Sequence, residues 1–169
     1  MKKALLILLC LGLSAPAMAQ IVKTEQLSEV TVYATNYKYL NNVDSGEVAS
    51  IPVSMLEKKV AAFNLKDSDF YSDDYDYYQI QFYIPEGKIL AAYDKDGNIL
   101  RTVERFDDIT LPVSVRDAVA DRFPGWTITK DVYLVNYHQK KGANKTYKLK
   151  LENGDETLRV KIDQMGNFL

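Results

Sequence analysis

The chain has 169 residues, 47% of them hydrophobic and 26% charged, with a net charge of −2 and a single cysteine. That length suits one domain with its own core. The mild acidity argues against a nucleic-acid surface, which needs a basic stripe against the phosphates.

Residues 1–19 read as a signal peptide. Lys2 and Lys3 form a basic start, Ala4 to Leu13 an apolar core, and Ala17-Met18-Ala19 a cleavage site before Gln20. The apolar core is shorter than the roughly 20 residues a membrane span needs. Cys10 lies inside it and is removed with it, so no disulfide staples the mature fold. Without Lys2 and Lys3 the 21 basic residues become 19 against 23 acids, a net charge of −4. The expectation is a soluble, periplasmic or secreted protein with no membrane insertion after cleavage.

Residues 20–50 form a polar N-terminal extension with one expected strand, Glu29 to Ala34, where Val30, Val32 and Ala34 alternate. Tyr37, Tyr39 and Leu40 follow, and Asn41 to Gly46 reads as a loop. A helix is then predicted from Ile51, with Ser54 as N-cap and Glu57 closing a capping box. Leu56, Val60 and Phe63 form its apolar stripe. The acidic, tyrosine-rich stretch from Asp67 leads into an alternating strand. Tyr78, Ile80, Phe82 and Ile84 are assigned to the core, with Tyr77, Gln79, Gln81 and Tyr83 on the opposite side. Pro85-Glu86-Gly87 turns the chain into Lys88 to Tyr93, and Asp94 to Asn98 turns it into Ile99 to Phe106.

The same programme then recurs. LPVSVRDAVADRF, from Leu111 to Phe123, repeats IPVSMLEKKVAAF, from Ile51 to Phe63, sixty residues on, with Ser114 as its cap and Asp117 three residues on. Val115, Ala118, Val119 and Phe123 are its buried stripe, and Pro124-Gly125 ends it. Strands follow at Trp126 to Gln139, Thr146 to Glu152 and, after the Asn153-Gly154 hairpin signal, over Leu158, Val160 and Ile162. Asp94 to Leu100 matches Asp163 to Leu169 at an offset of 69, which places nine extra residues in a longer loop around Lys140 to Lys145. The fold class is therefore α+β. Two tandem α-β-β-β units, 51–109 and 110–169, build one antiparallel sheet with two helices packed on one face.

The capped helix ending in FPGW, the tyrosine-rich strand, the hairpin and the D-x-x-G-N turn resemble the PepSY-like, beta-lactamase-inhibitor-like family of periplasmic proteins. The likeness is best over Ile89 to Leu169, with Ile51 to Leu100 as a weaker second copy. It implies a curved sheet whose open face grips a partner, and inhibition or restraint of an envelope enzyme. It carries over no catalytic residue.

The chemistry-bearing residues are few. His138 is the only histidine, and no G-x-S-x-G elbow accompanies it. A small periplasmic hydrolase built on it is the alternative to a binding protein. Asp67, Asp69, Asp73, Asp74 and Asp76 supply hard oxygens for calcium, but without EF-hand spacing or the glycine of its sharp turn. A calcium-dependent structural protein is thus a further alternative, and no cofactor is expected. The tyrosines carry the lead. Tyr77, Gln79, Gln81 and Tyr83 on one strand, with Tyr133 and Tyr137 on another, form an aromatic patch if those faces are uncovered. The expectation is a non-enzymatic module, a monomer or weak dimer, binding an envelope protein or peptide and no nucleic acid.

Overall fold

A computed structural model describes residues 23–26, 36–44 and 51–169 of the chain. The expected signal peptide and the expected strand from Glu29 to Ala34 lie outside the described residues. Strand β1 (Lys23–Gln26) and helices α1 (Tyr37–Val43) and α2 (Ile51–Ala62) precede strands β2 (Tyr77–Ile84), β3 (Gly87–Asp94) and β4 (Ile99–Asp107). Helix α3 (Val113–Arg122) and strands β5 (Thr127–His138), β6 (Gly142–Asn153) and β7 (Glu156–Asp163) complete the order. The strands form one sheet in sequence order, antiparallel from β2 to β7, with β1 added in parallel along β2. The protein is α+β. No described helix is long and apolar enough to cross a membrane.

Both helix starts differ from the serine caps expected at Ser54 and Ser114. Helix α2 begins at Ile51, so Ser54 lies inside it, and Glu57 is buried rather than folded back onto the cap. Pro52 fits the first turn, where its missing N–H has no intrahelical partner to lose. Helix α3 begins after Pro112 without a side-chain cap, and the Ser114 hydroxyl donates instead to the Gln164 carbonyl at 3.0 Å. A third helix, α1, stands where the loop from Asn41 was expected, and two of its residues, Tyr39 and Val43, are buried. The longer second half is also explained differently. Gly142 to Asn144 pair with His138, Tyr137 and Asn136, so the extra residues extend the ladder to two twelve-residue strands, against eight each for β2 and β3.

Alternation along each strand sends one set of side chains to the helices. Helix α2 packs on β2 and β3, and α1 on β5 and β6. Val115 and Val119 of α3 join the same buried cluster. Leu56 and Val60 meet Ile80, Phe82, Ile89 and Ala91 in it. Tyr93 closes the end of α2 by donating to the Val60 carbonyl at 2.7 Å, one of the carbonyls that a helix leaves unpaired. Buried Asn36 ties three elements together. Its amide donates to the carbonyls of Ala61 and Gly97, and its side-chain oxygen accepts from Ile99 N.

The register also builds an aromatic row. Phe106 lies opposite Tyr133, and Tyr133 opposite Tyr147, with stacked rings 6.2 and 4.8 Å apart. Gly87 is paired with Phe106, and a Cβ there would stand 2.3 Å from the Arg105 carbonyl and 2.5 Å from Phe106 Cδ1. The glycine is where backbone and ring approach too closely for a side chain. Gly87→Ala should therefore lower stability by about 1–3 kcal/mol, the usual cost of overpacking, as read from the urea midpoint.

Candidate binding face

With the described helices gathered on one side of the sheet, the other side carries the alternate residues of β2 to β7. On β2 these are Tyr77, Gln79, Gln81 and Tyr83, as expected. Tyr77 is 58% exposed, and the other three are half-buried. The ladder extends this surface in rows. Gln79 stands beside Ala92, Arg101 and His138; Gln81 beside Leu90, Val103 and Asn136; Tyr83 beside Lys88, Arg105 and Leu134. Val103, 50% exposed, is an apolar residue at the centre of this face. This end is an amphipathic surface of aromatic, amide and aliphatic groups interspersed with the cations Lys88, Arg101 and Arg105.

Tyr133 and Tyr137 do not belong to it. They are 1% and 3% exposed and point to the helix side. Tyr133 is stacked between Phe106 and Tyr147, and Tyr137 meets the Tyr39 ring edge to face at 5.3 Å. The physical reason is parity. Register pairs Tyr133 with Phe106 and Tyr137 with Thr102, both core-facing positions, so alternation places these two tyrosines on the helix side, Tyr137 against Tyr39 of α1.

At the other end, the same open face is basic. Lys130 lies opposite Lys150 and Lys150 opposite Arg159, while Lys148 lies opposite Lys161. Like charges directly opposed across a ladder destabilise a sheet. Lys150 also forms an ion pair with Glu152. An open groove of about 730 Å³ is lined by these cations and by apolar Val132, Leu149 and Val160, and it reaches the end of α3 at Arg122, whose guanidinium sits 4.4 Å above the Phe168 ring. Sequence reasoning missed this feature because net charge does not report how charge is distributed. The signal was present in the alternation of Lys148, Lys150, Arg159 and Lys161.

The remaining candidates are not assembled into sites. His138 is exposed, and its Nδ1 accepts from Lys140 N at 3.1 Å. It opens on a recess of about 330 Å³ whose lining, among the described residues, holds no serine and no carboxylate. The acidic loop spends its oxygens locally. Asp67 accepts from Asn64, Asp73 from Tyr71 and Asp74 from Ser72, while Asp69 and Asp76 are exposed. Among the described residues, no three histidine, cysteine or acidic side chains converge as a metal site.

One polar cluster was not foreseen. Beneath α1 and α2, the Glu104 carboxyl of β4 is fully buried. Its Oε1 accepts from the Tyr39 hydroxyl at 2.9 Å and the Thr102 hydroxyl at 2.6 Å. Its Oε2 has no hydrogen-bond partner among the described residues. Glu57 of α2 and Lys145 of β6 are buried and interact electrostatically with it. Burial, then the Glu104 charge, pushes Glu57 up to about 9. Burial pushes Glu104 up to about 7 against its two hydroxyl donors. Desolvation lowers the Lys145 ammonium, against the pull of the carboxyls. The signal that could have found the cluster is Glu104 on the core parity of a strand.

No protein-family model matches the chain, and no curated protein matches it.

The buried carboxyls generate a pH dependence. Both bind a proton more tightly folded than unfolded, so their contribution is fullest below the ordinary carboxyl value of 4.5 and is lost as pH rises through about 7 and about 9. Lys145 acts in the opposite sense, in the alkaline range below its ordinary 10.5. Urea unfolding should show stability falling from about pH 5 to about pH 9; Glu104→Gln should remove the part of that fall centred below about pH 7, and Glu57→Gln the larger part that continues toward pH 9.

Proposed function

We propose that the chain is a non-enzymatic, exported binding module that holds an envelope protein or peptide on its open sheet face. The observation that carries this reading is the side of the antiparallel sheet that the described helices leave uncovered, where exposed Tyr77 and Val103 sit among Gln79, Gln81 and Tyr83. Tyrosine supplies contact area at low entropic cost, and glutamine beside it adapts its hydrogen bonds to a partner. Binding would proceed by aromatic packing at the centre and charged contacts at the rim. The protein works in the periplasm or outside the cell, without a cofactor, as a monomer or weak dimer.

The finer architecture belongs to the same proposal. Two α-β-β-β units, α2-β2-β3-β4 and α3-β5-β6-β7, descend from one duplicated ancestor of the PepSY-like, beta-lactamase-inhibitor-like type. Their closing turns support this. Asp94 Oδ1 accepts from the amides of Asp96 and Asn98, and Asp163 Oδ1 from those of Met165 and Asn167. In each turn the asparagine side chain also donates to the aspartate Oδ2, at 3.0 and 2.9 Å. On that resemblance, occlusion of an envelope enzyme is the most concrete form of the function.

Affinity capture from envelope extract, comparing the wild type with Tyr77→Ala/Tyr83→Ala, tests the reading. Recovery of the bound partner should fall about tenfold or more, the loss expected from truncating interface tyrosines. The melting temperature should change little, since surface substitutions are usually within about 0.5 kcal/mol. Equal recovery of every partner by both proteins removes the tyrosine face as the binding surface.

A further inference from the structure

We infer that the basic end of the open face, over β5, β6 and β7, is a docking site for an extended acidic polypeptide segment. The inference names a ligand chemistry for the face proposed above and rests on reading that face as a binding surface. It concerns different residues.

Six cations, Arg122, Lys130, Lys148, Lys150, Arg159 and Lys161, line one open groove whose lining, among the described residues, includes no aspartate or glutamate. Five of them stand in register. Lys130, Lys150 and Arg159 form one row across three strands, and Lys148 and Lys161 the next. Glu152 offsets part of the Lys150 charge from outside the groove, leaving the surface strongly positive.

The spacing selects among anions. Along one strand, residues on the same face are about 6.8 Å apart, and neighbouring strands are about 4.8 Å apart. Lys148 with Lys150, and Arg159 with Lys161, therefore repeat at the distance that separates alternate carboxylates on one side of an extended acidic chain. A compact phosphate site draws on free backbone amides at a turn or helix start. Here β6 is laddered on both sides, so its amides are already paired. A single-stranded nucleic acid would match the charge spacing, but needs aromatic faces on which bases stack. The nearest rings do not offer them. Phe168 is covered by Arg122 on one side and meets Phe123 edge to face at 5.6 Å. The edge of β7 is partly taken as well, by Leu169 N donating to the Lys161 carbonyl and by the bridge from Ile162 to Phe168. The segment therefore lies across the face rather than adding as a strand. Recognition is by lysine and arginine side chains acting on alternate carboxylates, and it weakens with ionic strength.

The test uses the mature full chain and fluorescence anisotropy at low salt. The probes are a labelled Glu-Ser repeat peptide of about ten residues, its block isomer with the glutamates contiguous, inorganic polyphosphate and oligo-dT of matched charge. The repeat peptide should bind several-fold more tightly than the block isomer. It should be weakened about tenfold by Lys148→Glu/Arg159→Glu and by the neutral pair Lys148→Gln/Arg159→Gln. Lys58→Glu, on the helix side of the molecule, should leave binding unchanged. Equal affinity for the two peptides, tighter binding of polyphosphate or oligo-dT, or equal weakening by Lys58→Glu overturns the assignment. So does failure of the repeat peptide to bind. Tyr77→Ala/Tyr83→Ala should leave peptide affinity intact, so the tyrosine reading and this one can fail separately.

Discussion

Six antiparallel strands in unbroken sequence order impose one constraint from which the remaining structure follows: each of their side chains belongs to one of two faces, and the described helices cover only one. A strand shifted by a single residue would exchange its core and surface sets. The register is held from both directions. Gly87 yields space to Phe106, and Phe106, Tyr133 and Tyr147 stack in a row that spans the centre of the sheet. The bare face is thus not an accident of incomplete packing. It is the complement of a core that uses the opposite parity of every strand.

The core itself is not wholly apolar. Glu104, with Tyr39, Thr102, Glu57 and Lys145, sets a titratable cluster where the sheet meets α1 and α2. Replacing such a cluster by well-packed hydrophobic groups is often neutral or stabilising, so its presence is weak evidence for stability. What it does do is join elements distant in sequence. Tyr39 brings α1 onto β4 through a hydrogen bond spanning 65 residues, and Asn36, just before that helix, holds the end of α2 and the Gly97 turn. The short helix is fixed by polar contacts at sites where its own length gives little stability.

Charge is segregated in the same way as polarity. The acids between Asp67 and Asp76 lie in one loop before β2, while the lysines and arginines of β5 to β7 gather at the other end of the sheet. A net charge near zero conceals that division. Opposed lysines across a ladder carry a folding cost, and the groove above them is where an anionic group would relieve it.

The sequence by itself determined the elements with strong local signals. The alternation of Tyr78, Ile80 and Phe82, the Leu56 and Val60 stripe, the paired D-x-x-G-N turns and the Asn153-Gly154 hairpin all follow from periodicity and turn chemistry, which act within a few residues. It also supplied the α+β class and the outward set Tyr77, Gln79, Gln81 and Tyr83. Only the tertiary structure decided which side of β5 is covered, and so placed Tyr133 and Tyr137 in the core. Alternation gives parity within a strand but not which parity faces the helices, which depends on pairing with a strand already anchored. The same holds for helix α1, for the inward turn of Glu57 and for the alignment of cations across β5, β6 and β7. Each arises from contacts between residues far apart in the chain, where no local pattern carries a signal.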